Sequence, residues 1–144
     1  MLSPSVYLHQ TLSGLNACTD HEIRVSAVTP SGLVSDKSTV NFTTSEDTPS
    51  APRALTHITV AVNQIELHWF APLTNRLCVD MYKVSWTSGS DSGNMDYTPS
   101  GHPPEVKMTV SGLESCSSYT FTVVPVTPLG DKGPSVTYTV STSC

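Results

Sequence analysis

Five stretches in the second half of the chain alternate apolar and polar residues with a period of two. Ile65, Leu67 and Trp69 fall on one side, as do Tyr82, Val84 and Trp86, and then Val106, Met108 and Val110. Tyr119, Phe121 and Val123 continue the pattern, and Val136, Tyr138 and Val140 end it. Such a period places these side chains on one face of a β-strand, toward a core, with their neighbours toward water. Turn-forming sequences separate the stretches: Ala71-Pro72, Ser88-Gly89-Ser90, Pro103-Pro104, Ser111-Gly112 and Pro128-Leu129-Gly130. Short strands punctuated in this way predict an all-β chain built on a two-sheet antiparallel sandwich of seven strands.

Residues 11–45 and 109–143 align without a gap at a constant offset of 98, with 13 identical pairs among 35 positions. A common bias toward Ser and Thr explains the hydroxyl matches. It does not explain Gly14-Leu15, Cys18 and Thr29-Pro30-x-Gly32 recurring in one register as Gly112-Leu113, Cys116 and Thr127-Pro128-x-Gly130. A period near 100 residues is too long for a solenoid unit and fits tandem β-domains. The expected layout is therefore the C-terminal half of one domain over 1–45, a polar, Pro-containing linker over 46–52, and a complete domain over 53–144.

Composition agrees. The chain carries 21 Ser and 19 Thr among its 144 residues, and 11 Pro. Thr favours strands and Pro breaks helices, which argues against long helices. Seven basic residues face twelve acidic ones, for a net charge of −5. Nucleic-acid binding needs clustered Lys and Arg and is disfavoured. No apolar run approaches the roughly 20 residues that cross a bilayer. MLSPSVYLHQ has neither the basic nor the apolar region of a signal peptide, so an extracellular chain would be a fragment lacking its own targeting segment. The five histidines (His9, His21, His57, His68, His102) show no metal-binding spacing, and no Ser/His/Asp set can be singled out. The expectation is a chain that is not an enzyme and holds no metal or cofactor.

The order of marks in residues 53–144 resembles fibronectin type III modules. Pro52 opens the unit, and Trp69 lies on the second strand ahead of Ala71-Pro72. Tyr82-Lys83-Val84-Ser85-Trp86 follows on the third strand, then Leu113-x5-Tyr119-x-Phe121-x-Val123-x2-Val126 and a turn at Gly130. The resemblance implies an immunoglobulin-like sandwich whose core includes Trp69, Tyr82, Trp86, Leu113 and Tyr119. It implies that Tyr119 is a tyrosine corner, its hydroxyl bonded to upstream backbone. His21 stands where Tyr119 stands, as a shorter, titratable substitute. Residues 1–45 then supply strands E, F and G of a preceding copy, whose apolar face (Leu8, Leu12, Leu15, Ile23, Val25, Phe42) has no opposing sheet. Such a sheet is marginal alone.

In that topology Cys18 and Cys116 lie at the pole where a module exits, and Cys78 at the pole where the next one enters. An intermodule bridge Cys18–Cys78 is expected, and Cys78–Cys116 is excluded by a strand's length of separation. Cys116 has two candidate partners: Cys144, across the last hairpin, or a cysteine of a following module. Four free or buried thiols remain the alternative. Asn41-Phe42-Thr43 is a glycosylation sequon. Leu129-Gly130-Asp131-Lys132 reads first as an ordinary hairpin turn, and as a weak echo of the adhesive loop found in some relatives of the family. The resemblance implies an extracellular or cell-surface interaction or spacer segment, with neighbouring modules and unidentified proteins as partners. The alternative is an accessory spacer of a larger enzyme, such as a receptor-type phosphatase ectodomain.

Overall fold

The computed structural model describes residues 8–144. Among these residues nine strands form, in chain order β1 (Asp20–Val25), β2 (Ser38–Thr43), β3 (Arg53–Val60), β4 (Gln64–Phe70), β5 (Met81–Thr87), β6 (Ser92–Tyr97), β7 (Glu105–Ser111), β8 (Ser118–Val126) and β9 (Val136–Ser141). A 3-10 turn, Arg76–Cys78, lies between β4 and β5. β3–β4–β7 make one antiparallel sheet and β6–β5–β8–β9 the other. These seven strands are the sandwich that the alternation predicts. β1 and β2 pair separately, with Asp20 opposite Thr43 and Val25 opposite Ser38.

The alternating residues meet between the two sheets. Ile65, Leu67 and Trp69 from β4, Val106, Met108 and Val110 from β7, and Tyr119, Phe121 and Val123 from β8 are all buried. Trp69 is the largest of them and packs edge-on against Tyr82, with ring centroids 5.3 Å apart, and against Tyr97 at 6.2 Å. Each such pair adds about 0.5–1.5 kcal/mol beyond simple burial. Leu113 closes the end of the core, its N–H donating to the carbonyl of Asn63 at 3.0 Å. Trp86 is only half-buried, at the margin of the core. It lies over Gly93 of the edge strand β6, where a Cβ would stand 2.5 Å from the indole ring. No side chain of β6 can therefore cover it at that point.

Edges are managed. β3 carries two register shifts against β4, and Ala54 adopts a left-handed φ of 53° within it. Such bulges hinder the pairing of a further strand. The His57 ring bonds the Tyr138 hydroxyl at 2.8 Å and ties β3 to β9 across the open side of the sandwich.

Before residue 45, β1 and β2 occupy the places of the expected strands F and G. Expected strand E begins among residues 1–7, which lie outside the described residues, and residues 8–13 carry no ladder. The corresponding strand of the sandwich, β7, is held by seven pairs to β4. No such partner faces residues 8–13 among the described residues, and a strand without a partner has no backbone bonds to define it.

Candidate functional site

Two chain segments meet where residues 14–19 approach the loop between β4 and β5. Cys18 is half-buried in the turn entering β1, with a left-handed φ of 50°. Its N–H donates to the Ser45 carbonyl at 3.1 Å, which fixes the turn. Cys78 is buried at the end of the 3-10 turn. The two form a disulfide with Cα atoms 5.2 Å apart.

The stretch between β2 and β3 is strapped down beside this crosslink. Pro49 is fully buried. Ser50 N–H donates to the Thr74 carbonyl at 3.1 Å, and Thr74 N–H donates back to Ser50 Oγ at 3.0 Å. Asn75 Nδ2 donates to the Thr48 carbonyl at 2.9 Å. Gly133 runs so close to Pro49 that a Cβ would stand 2.5 Å from its carbonyl oxygen. The sequence marks this packing only by two prolines, Pro49 and Pro52, in an otherwise polar run.

The turn between β8 and β9 sits at the same end. Thr127 N–H donates to the Asp131 carbonyl, Gly130 N–H to the Thr127 carbonyl, and Asp131 N–H to Thr127 Oγ1, at 2.9 to 3.0 Å. Gly130 adopts φ 95°, which a glycine takes without steric cost. Leu129 projects into solvent at 83% exposure, while its N–H reaches Glu46 Oε1 at 3.3 Å. Of Leu129, Gly130, Asp131 and Lys132, Leu129 thus touches the strap through its backbone, and all four residues stay exposed. Asn41 lies exposed on β2, opposite Glu22.

At the far end, Cys116 and Cys144 are joined, both exposed, with Cα atoms 4.5 Å apart. They flank the β8–β9 hairpin, where Ser118 pairs with Ser141. Tyr119 is fully buried. Its hydroxyl accepts from the Glu114 N–H at 2.9 Å and donates to Asp91 Oδ2 at 2.7 Å. The bond to Glu114 is the corner's upstream contact, and Asp91 is a second partner, supplied by a Ser/Gly-rich loop with no pattern of its own. At the offset of 98, His21 stacks on Phe42 at 5.5 Å, and its buried Nε2 has no partner among the described residues. His21 therefore fills the place of the corner without making its bonds.

Titratable groups report the same packing. Burial pushes the Tyr82 hydroxyl up to about 12. The Trp69 ring N–H and the Arg76 charge oppose that rise, although the N–H lies beside the hydroxyl without completing a hydrogen bond. Burial also raises Tyr119, helped by its bond to the Asp91 carboxylate. His68 lies on the outer face of β4, and its bond to Glu105 at 2.8 Å holds that carboxyl below the usual range. No group of three or more potential metal ligands gathers among the described residues. Among the described residues no helix is long and apolar enough to cross a membrane.

Residues 50–141 match the fibronectin type III domain. Human protogenin is 29% identical over 99 residues, and mouse protogenin 31%; each match takes in 69% of this chain. The chain spans under a tenth of either relative, 9% and 8%. Among solved structures, domains d3–d4 of the rat CD45 extracellular region align over 99% of this chain and 78% of that one, with a TM-score of 0.58 at 16% identity. A two-domain fibronectin type III segment of chicken tenascin aligns over 90% and 68%, with a TM-score of 0.58 at 18% identity. At such identities the structures share the fold. With the sandwich, the tyrosine corner and the match over most of its length, the chain belongs to the fibronectin type III family.

Proposed function

We propose that the chain is a non-catalytic segment of an extracellular or cell-surface protein that holds two modules in a fixed relation and presents their loops and faces to protein ligands. Residues 1–45 are the C-terminal half of one module, 46–52 the linker and 53–144 a complete second module. Strands corresponding to β3, β4 and β7 would cover the bare face of β1 and β2 in the intact first module.

The Cys18–Cys78 bond carries the reading. It joins the turn before β1 to the loop before β5, two elements with no ladder between them. A crosslink there contributes where relative placement matters, and disulfides persist in oxidising compartments. The strap at Pro49 supports the same conclusion, because a loose tether would leave that proline in water. Asn41, exposed on β2, is accessible for glycosylation in that setting.

Peptide mapping without reduction, on protein secreted behind an added signal peptide, tests the proposal together with residual dipolar couplings. Cys18–Cys78 and Cys116–Cys144 peptides are expected, with one alignment tensor fitting β1–β2 and β3–β9 alike. Cys18→Ser with Cys78→Ser should then split that tensor in two. Four free thiols in the secreted protein, or a Cys78–Cys116 peptide, would overturn it.

A further inference from the structure

An open cleft of about 300 Å³ lies beside the Cys18–Cys78 crosslink. Asn16 and Ala17 form one wall, and Arg53, Asn75, Arg76 and Leu77 contribute to the other. The walls are fixed. Cys18 follows Ala17, Cys78 follows Leu77, and the disulfide holds the two segments at one separation. Asn75 is locked by its bond to Thr48 and by a left-handed backbone. The site is therefore formed before any ligand arrives, which removes an ordering cost from binding.

Its charge is unusual for this chain. The protein has three arginines and a net charge of −5, yet two of the three, Arg53 and Arg76, line this one cleft. No acidic residue lines it. Neither arginine has a carboxylate partner among the described residues, whereas Arg24 pairs with Glu22 and Lys83 with Asp96. Residues 1–7 contain no Asp or Glu that could supply one. Glu105, next to the lining residue Pro104, is engaged by His68. Arg53 is oriented rather than neutralised: its Nε donates to the Ala71 carbonyl at 3.1 Å and its guanidinium lies 5.8 Å over the Phe70 ring. That leaves its terminal NH2 groups as donors. Planar guanidinium groups match carboxylates with paired hydrogen bonds.

We infer that this cleft is a recognition site for an acidic side chain, Asp or Glu, on a loop of a partner protein. The inference deepens the interaction-module reading and rests on it. A sulfated glycan offers similar anions, but the chain's charge disfavours it. Within a screening length of about 8 Å two arginines attract a single carboxylate. A polyanion would extend across a surface with five excess negative charges.

The test titrates the isotope-labelled full chain with the capped peptide Ac-GDEG-NH2 and follows its NMR spectrum. Shifts are expected at the side chains of Arg53 and Arg76 and at the amides of Ala17 and Asn75, saturating in the millimolar range. The neutral peptide Ac-GNQG-NH2 should move none of them. Arg76→Gln should weaken binding at least about tenfold, the scale of one charge-assisted hydrogen bond. Lys37→Gln, which removes a cation outside the cleft, should not weaken it. Equal effects of the two peptides, or shifts centred elsewhere, would overturn the inference. So would binding of a heparin octasaccharide at these residues without binding of the peptide. Any of these results with the Cys18–Cys78 bond intact leaves the module reading standing and removes only the cleft's role.

Discussion

The β1–β2 pair and the β8–β9 pair are built from the same bonds and live in different surroundings. At an offset of 98, β1 corresponds to the first six residues of β8 and β2 to the whole of β9. The bond from Cys18 N–H to Ser45 recurs from Cys116 N–H to Ser143, and the Val28–Val34 bridge recurs as Val126–Lys132. Cys18 and Cys116 share a left-handed backbone, with φ 50° and 51°. Burial does not recur. Leu15 is 41% exposed where Leu113 is 5%, and Val28 is 65% exposed where Val126 is 2%. The hairpin is thus specified locally, by turn residues and backbone bonds. Its stability comes from whatever lies across its apolar face.

Substituting the same residue on both sides breaks the comparison most directly. Leu113→Ala should cost about 2–5 kcal/mol in denaturant unfolding, the usual penalty for emptying a filled core position. Leu15→Ala should cost less than about 0.5 kcal/mol, as at an exposed site. Equal costs would mean that Leu15 is covered in solution.

The corner residues sharpen it next. Tyr119→Phe leaves the Glu114 N–H and the Asp91 carboxylate without their partner and should cost about 1–3 kcal/mol. His21→Phe removes a nitrogen that bonds nothing among the described residues and keeps the ring against Phe42. Its thermal midpoint should stay unchanged or rise.

Alkaline pH separates the two regions more gently. The fold raises Tyr82 from 10.0 to about 12, so it favours the neutral phenol. The resulting stability is complete below pH 10 and is lost as pH climbs through 12. Tyr119 shifts in the same direction. Circular dichroism with tyrosinate absorbance should show the sandwich unfolding within that window, and Tyr82→Phe should move the midpoint upward. Residues 8–45 contain no tyrosine and should add nothing to the tyrosinate signal.

Strand identity was legible wherever one face meets a core, as at Ile65, Leu67 and Trp69, because period-two alternation is the direct trace of one-sided burial. The Cys18–Cys78 pairing is an expectation of the family resemblance, whose topology sets the two cysteines at facing poles, and the alternation of residues alone leaves free thiols open. Other features left little mark on the sequence. The buried Pro49 sits among polar residues and owes its burial to the close approach of Gly133. Asp91 serves Tyr119 from just beyond Ser88-Gly89-Ser90, whose sequence reads only as a turn. The cleft draws Arg53 from a strand and Arg76 from a 3-10 turn 23 positions later, and no local pattern joins them.

The order of the two disulfides has a mechanical consequence. The loops they close, with separations of 60 and 28 residues, follow one another without overlap. Tension applied to the ends would run along the chain to Cys18, cross to Cys78, continue to Cys116 and cross again to Cys144. β1 to β4 and the β8–β9 hairpin would carry none of it. Even with every strand pulled apart, roughly 300 Å of contour would stay locked behind the sulfur bridges, at about 3.4 Å per residue. Reduction would release that length, so the redox state of four cysteines sets how far the segment can stretch.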